Sequence, residues 1–287
     1  MPLGMSIIWK PSHCPKCNHA IRPYDNVPIF GWLWLKGRCR DCGEPISPRY
    51  AIVEFVMGFA FFVLAYAELF SGGANLPGGP ITEFTGAVNN FLVPNWALIG
   101  VYAYHGVLLS LLIVITLIDL DGKNVPFSFA LFGGLVGLLT GMLGVHPWLE
   151  KEWFRLEELK IASAFGFAVF GAGCGFLASA VIVAVWRVRL ETAQNNADKK
   201  EKRFFERTGI PFHKAGNLMA ALTLAGIFLG GLVIWYAVVY TVIILVFTRR
   251  ILPKERWKLC KLALPVFFCV VIVLIAVWKP FEGYLHF

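Results

Sequence analysis

The sequence predicts an all-α fold: a polytopic membrane helix bundle of about seven spans, led by a small cysteine-rich segment. Three observations predict it. Of the 287 residues, 57% are hydrophobic and only 15% are charged, where a soluble domain carries about a quarter charged residues. The apolar residues fall in blocks long enough to cross about 30 Å of hydrocarbon, with no alternating ten-residue pattern of the kind that marks a β-barrel. Four of the seven cysteines crowd into the first 42 residues, whereas nearly everything beyond residue 50 is apolar. The chain therefore divides into a cysteine segment, 1–50, and a transmembrane domain, 51–287.

Seven segments read as spans: Ala51–Phe70, Asn95–Ile118, Pro126–Val145, Ile161–Trp186, Asn217–Gly230, Leu232–Phe247 and Leu262–Trp278. The fifth and sixth are short and run together as one apolar stretch, with the Gly230-Gly231 pair offering a turn between them. Lysines and arginines set the sides. Residues 1–50 carry seven, Arg187–Gly216 eight and Arg249–Lys261 six, whereas Ser71–Pro94 carries none. These basic loops read as cytoplasmic, which puts the N-terminus inside and the C-terminus outside. Residues 216 and 249 then share a side, and two passes must separate them. The net charge of +8 lies in loops, so it fits membrane orientation and not nucleic acid. The polar stretch Glu191–Lys202 reads as a linker. Met1 to Lys10 has no charged stretch followed by an apolar core, so it does not read as a secretory signal.

Cys14-Pro-Lys-Cys17 and Cys39-Arg-Asp-Cys42 are two C-x2-C pairs separated by 21 residues. Each supplies two sulfurs from one turn, and two such turns complete a tetrahedron around Zn²⁺. All four ligands would be thiolates, leaving no open position for water, so the site reads as structural. A reducing compartment disfavours disulfides, and no βαβ pattern surrounds either pair to suggest a redox motif. Cys174, Cys260 and Cys269 sit in or beside apolar runs and read as buried small hydrophobes.

Asp119-Leu-Asp121-Gly-Lys-Asn-Val-Pro126 follows an apolar helix directly. A carboxylate at a span's end is tolerated where it reaches the interface. Asp119 therefore reads either as a helix-terminal charge, with Asp121-Gly122 as a turn, or as an acid at the mouth of the bundle. Glu54, one turn into the first span, reads as an anchor that ties the cysteine segment to the bundle through an ion pair. His105 reads as a hydrogen-bonded core histidine. Trp32, Trp34, Trp148 and Trp153 suit membrane interfaces. No G-x-S-x-G, Walker A or dinucleotide glycine pattern occurs.

The stretch from Ser12 to Glu54, SHCPKCNHAIRPYDNVPIFGWLWLKGRCRDCGEPISPRYAIVE, resembles the zinc segment of the bacterial prepilin peptidases. These are type IV leader peptidases that also N-methylate their product. Leu117-Ile118-Asp119-Leu120-Asp121, with Pro126 beyond it, resembles the first catalytic motif of that family, and its leading aspartate falls on Asp119. The resemblance implies an intramembrane aspartic endopeptidase in the bacterial inner membrane, with the zinc segment and active site cytoplasmic. Its substrates would be prepilin or pseudopilin precursors, cut after a glycine at the end of a basic leader. S-adenosylmethionine would be the methyl donor for the new N-terminus. In an aspartic dyad two carboxylates share one proton: one activates water while the other protonates the developing oxyanion.

Two departures stand out. The second aspartate of the family opens a later span in a G-x-G-D motif, and the matching stretch here is Lys214-Ala215-Gly216-Asn217. The second catalytic position is thus Asn217. An amide donates hydrogen bonds but cannot cycle a proton, and loss of one positioned acid–base group costs about 10²–10⁴ in rate. Asp198 and Asp121 are poor substitutes by position. The family also has a span ahead of the zinc segment, and Met1-Pro-Leu-Gly-Met-Ser resembles the link after it, so a further helix would precede this sequence or has been lost. The leading expectation is a prepilin leader peptidase and methyltransferase. The alternative is a catalytically impaired binding or assembly protein on the same scaffold. A transporter with a regulatory finger ranks third, because few ionisable residues, chiefly Glu68 and His105, lie inside the spans.

Overall fold

The computed structural model describes residues 13–76, 86, 92–140, 160–195, 212–251 and 259–282. Trp148, Trp153, Asp198, the chain start and the side chain of Cys260 lie outside the described residues, as does the linker beyond Asn195. The described residues are predominantly helical, with two isolated β-bridges and no extended strand. The chain falls into two compact units, Met1–Phe62 and Val63–Phe287.

The first unit begins with two knuckles of matching geometry. In one, Cys14 N–H donates to His19 O and Asn18 N–H to Cys14 O; in the other, Cys39 N–H donates to Glu44 O and Gly43 N–H to Cys39 O. Each turn closes on a left-handed residue, Asn18 (φ 56°) or Gly43 (φ 71°). Glycine and asparagine are the residues that adopt this conformation at least cost. A bridge seals each one, His13 with Ala20 and Arg38 with Pro45. Between them lie a short 3-10 turn, Pro23–Asp25, and a five-residue helix, α1 (Phe30–Trp34). Trp32 turns inward: its indole N–H donates to Ile46 O at 3.0 Å, and its ring packs on Gly37. Arg40 clasps Asp25 through two hydrogen bonds, of 2.7 and 2.5 Å, and lies over the Tyr24 ring. That pairing holds the Asp25 carboxyl below the usual carboxylate range, mainly through the hydrogen bond from Arg40. Lys16 and Glu44 pair at 3.1 Å, joining one knuckle to the other.

The long helices follow. Helix α2 (Arg49–Ala65) continues as a wider turn, Tyr66–Phe70, to make a largely apolar helix of 22 residues in all. In the second unit, α3 (Trp96–Leu120) starts at Asn95, whose side chain accepts from Leu98 N–H, and ends at the Asp121-Gly122 turn, with Gly122 at φ 70°. Helix α4 is Phe127–Thr140, α5 Lys160–Asn195, α6 Phe212–Ile251 and α7 Leu259–Glu282. Among the described residues, three apolar helices are long enough to cross a bilayer, Arg49–Phe70, Trp96–Leu120 and Phe165–Ala184, and four shorter ones are Phe127–Thr140, Ala215–Gly231, Val233–Phe247 and Ala263–Val277. Each of the seven segments read as a span falls on one of these helices. The turn expected at the glycine pair is a break at Gly230 (φ 81°, ψ 172°), which divides α6 into a first half, α6a, and a second half, α6b.

Helices α5 and α6a approach backbone to backbone. A Cβ added to Gly171 would lie 2.0 Å from Gly226 O, and one on Gly175 would lie 2.1 Å from Leu222 O. Gly171 and Gly175 on α5, and Gly226 and Gly230 on α6, are small residues four apart, the spacing that lets membrane helices touch. Gly137 of α4 makes room for a side chain instead: a Cβ there would lie 2.5 Å from the Phe228 ring. Tyr104 on α3 donates to Phe228 O, while Asp119, at the far end of α3, meets Asn217, at the start of α6. Thus α3 and α6a run antiparallel, and the core between them is dry: Leu98, Leu108, Leu112, Ile115, Leu222 and Phe228 are fully buried.

Two sequence expectations are corrected here. Cys269 is exposed on the apolar surface, lining a groove between α6b and α7, and Cys174 is only half-buried. Glu54 holds a backbone group and not a cation: its carboxylate accepts Ile29 N–H at 2.8 Å.

Candidate functional site

The sulfur site is set by the two knuckles. All four Sγ atoms, of Cys14, Cys17, Cys39 and Cys42, lie within 4.8 Å of one another, and Cys14 and Cys42 are 3.8 Å apart. A zinc tetrahedron with Zn–S bonds of about 2.3 Å has sulfur–sulfur edges of about 3.8 Å, so the cluster fits a tetrahedral metal ion. The charges agree. Backbone N–H groups of Cys17 and Lys16 aimed at Cys14 bring its thiol down to about 6. On Cys42 the Glu44 N–H pulls the same way, but desolvation and the three neighbouring thiols outweigh it and push the thiol up to about 12. Four sulfurs so close cannot all ionise alone, and a divalent cation removes that conflict.

The second site is built by the antiparallel pairing of α3 and α6a. Asp119, in the last turn of α3, is 3% exposed, and Asn217, in the second turn of α6, is 1% exposed. The Asn217 amide donates from Nδ2 to Asp119 Oδ1 at 3.1 Å and to Lys123 O at 2.8 Å, while its Oδ1 accepts Val125 N–H at 2.8 Å. All three partners agree on the amide's orientation, because a flipped amide would set its oxygen against two acceptors. Asn217 therefore grips the 123–125 loop and Asp119 together, and both of its N–H bonds are used. A carboxyl group placed there would meet the same two acceptors with at most one hydrogen to offer. Asp121, two residues further on, is exposed. Gly216, the residue before Asn217, is exposed with open space around it.

A third polar cluster pairs two residues that the sequence does not link. Glu68, in the wide turn after α2, and His105, in the middle of α3, are both fully buried, and His105 Nδ1 meets Glu68 Oε1. The expected hydrogen-bonded core histidine is found, but its partner lies 37 residues away, a separation no local pattern signals. Asn75 nearby in sequence donates to Ile275 O at 2.7 Å, tying this segment to α7.

These features define a class: a membrane helix bundle that carries a four-sulfur metal knuckle and a buried carboxylate–carboxamide pair. Residues 1–68 match the Bacterial Peptidase A24 N-terminal domain. The chain is 34% identical over 179 residues to the prepilin leader peptidase/N-methyltransferase of Klebsiella pneumoniae, covering 61% of this chain and 73% of that protein. It is 32% identical over 201 residues to the protein of the same name from Myxococcus xanthus (strain DK1622), covering 69% of this chain but 47% of the relative. A type 4 prepilin-like proteins leader peptide-processing enzyme of Escherichia coli O78:H11 is 30% identical over 192 residues, covering 60% of this chain and 61% of that protein. The chain belongs to the prepilin leader peptidase/N-methyltransferase family. It spans between about half and three quarters of the length of these relatives. No solved structure matches it significantly.

Proposed function

We propose that this chain acts on prepilin or pseudopilin precursors as a leader peptidase, cutting the basic leader at the membrane face where Asp119 lies. One observation carries this reading: Asp119 and Asn217, 98 residues apart, meet side chain to side chain at a buried helix end. They occupy the two positions of the family's dyad. Asp119 is the group that takes a proton from the attacking water. Asn217 orients Asp119 and fixes the 123–125 loop beside it. The carboxylate-bearing domain is taken as 51–287 and the metal-binding segment as 1–50. Cys14, Cys17, Cys39 and Cys42 hold Zn²⁺, whose chemistry there is structural: it locks two short turns that have little core of their own. The basic stretches flanking Arg49 and Gly216 support a bacterial inner-membrane setting with both sites at the cytoplasmic face.

A second reading follows from the Asn217 network. With both amide hydrogens engaged and no proton to cycle, position 217 cannot protonate the substrate oxyanion. This favours a catalytically impaired protein that binds prepilin on the family scaffold. Methyl transfer, the second activity in the relatives' name, would need S-adenosylmethionine. The groove of about 390 Å³ between α6b and α7, lined by Tyr240, Ile244, Val266 and Val270 among other apolar groups, does not fit that charged cofactor.

The test is cleavage of a prepilin bearing its basic leader by the full chain in vesicles. Cleavage by the native chain that stops in Asp119→Ala supports the peptidase. No native cleavage, with cleavage restored by Asn217→Asp and crosslinking to prepilin retained, supports the impaired protein.

A further inference from the structure

In the cysteine unit, α1 turns three large apolar side chains outward. Phe30, Leu33 and Trp34 stand at i, i+3 and i+4, one face of a helix, and they are 69%, 55% and 80% exposed. Trp32, between them, points the other way and is hydrogen-bonded inside the unit. The backbone aims this face at a cost. Ile29 sits at φ 64°, ψ −54°, with Phe30 N–H closing back on Pro28 O at 2.6 Å. This is the rare positive-φ γ-turn, an outlier for a β-branched residue.

What holds that turn also fixes its level. Ile29 N–H, the first orphan donor of α1, is accepted by Glu54 of α2 at 2.8 Å. Glu54 lies five residues past Arg49, about 7–8 Å along the helix at 1.5 Å per residue. The apolar helix Arg49–Phe70 has 22 residues, about 33 Å against a hydrocarbon layer of about 30 Å. The helix has no slack with which to lift Glu54 out into water. The start of α1 is thus pinned inside the end of the very helix that crosses the bilayer.

We infer that α1 is an interfacial anchor: Phe30, Leu33 and Trp34 dock into the boundary between headgroups and acyl chains, in the leaflet at the Arg49 end of α2. Tryptophan beside phenylalanine and leucine suits that boundary. Exposed Lys36 and Arg38, just beyond the helix, add attraction to anionic headgroups. The Ile29–Glu54 bond then has a second role, since it satisfies a backbone donor at a depth where water is scarce. The metal segment is held against the membrane surface by this anchor as well as by its covalent link to α2.

The test uses the full, metal-loaded chain in vesicles of phosphatidylcholine and phosphatidylglycerol. The difference in emission between wild type and Trp34→Phe isolates Trp34. Lipids brominated near the headgroup end of the acyl chain should remove most of that emission, lipids brominated at the chain terminus should remove less, and aqueous iodide should change it little. Loss to iodide without loss to brominated lipid would overturn the inference, because the face would then meet water. Protection from both quenchers would overturn it too, because a protein partner would then cover the face. Leu33→Trp in the Trp34→Phe background puts the reporter on the same face and must give the same ranking, with bound metal unchanged.

Discussion

The sulfur site and the carboxylate site are built on opposite plans. Each cysteine pair closes within four residues, and its turn geometry is local: the same hydrogen bonds and the same left-handed position recur at Cys14 and Cys39. Asp119 and Asn217 are 98 residues apart and meet only because α3 and α6a pack antiparallel across a core of buried leucine, isoleucine and phenylalanine side chains. The first site can be recognised one knuckle at a time, and its four sulfurs are close enough to be tied by one metal ion. The second exists only when the bundle is whole, and its stability rests on helix packing.

The comparison should break most sharply at the sulfur site, if the zinc proposed there is taken away. Zinc in such knuckles supplies about 10–16 kcal/mol of apparent binding energy that is also folding energy. Chelation, or Cys39→Ser, should therefore collapse the order of residues 13–47 and leave the helical bundle standing. Amide exchange read separately for each region checks this. Equal loss of protection in α3 and α6 would contradict the local plan.

The bundle should fail in the converse way. Gly226→Leu puts a side chain where a Cβ would already lie 2.1 Å from Gly171 O. Backbone cannot yield as a side-chain tip does, so a cost of about 3 kcal/mol, at the upper end for overpacking, is expected. The variant should unfold at a lower temperature in detergent while binding metal as the wild type does.

The smallest effect concerns Asp25 and Arg40, which brace the turn between the knuckles. The folded carboxyl is held below its ordinary value, about 3.9, chiefly by its hydrogen bond from Arg40. A depressed carboxyl contributes stability that is present above the unfolded value and is lost as pH falls through the folded one. The stability gap between wild type and Asp25→Asn should thus be constant near neutrality and close only below the ordinary carboxylate range. Denaturation followed across acid pH measures it.

Much of this architecture is legible in the sequence, because each span is written as a contiguous apolar block and the metal site as two short motifs. Even the break at Gly230 could be read, since charge on both flanks demands a return pass. What escaped was long-range or backbone-borne. The Glu68–His105 pair joins residues that no periodicity links. Glu54 looked like half of an ion pair, but its partner is a backbone N–H, a donor that every residue carries and no sequence advertises. Asp119 by itself reads equally well as a terminal charge. Only its resemblance to a family motif directed attention to Asn217, and only the packing of α3 on α6a gives the two side chains a common address.

One measurement bears most directly on the claim that positions 119 and 217 form one dyad: prepilin cleavage compared among wild type, Asp119→Ala and Asn217→Asp, in vesicles, with folded protein matched by bound metal. An acid restored at 217 should raise the rate by about 10²–10⁴, the usual worth of a positioned acid–base group, and removal of Asp119 should abolish cleavage in either background. Cleavage that persists without Asp119, or that Asn217→Asp leaves unchanged, would contradict it.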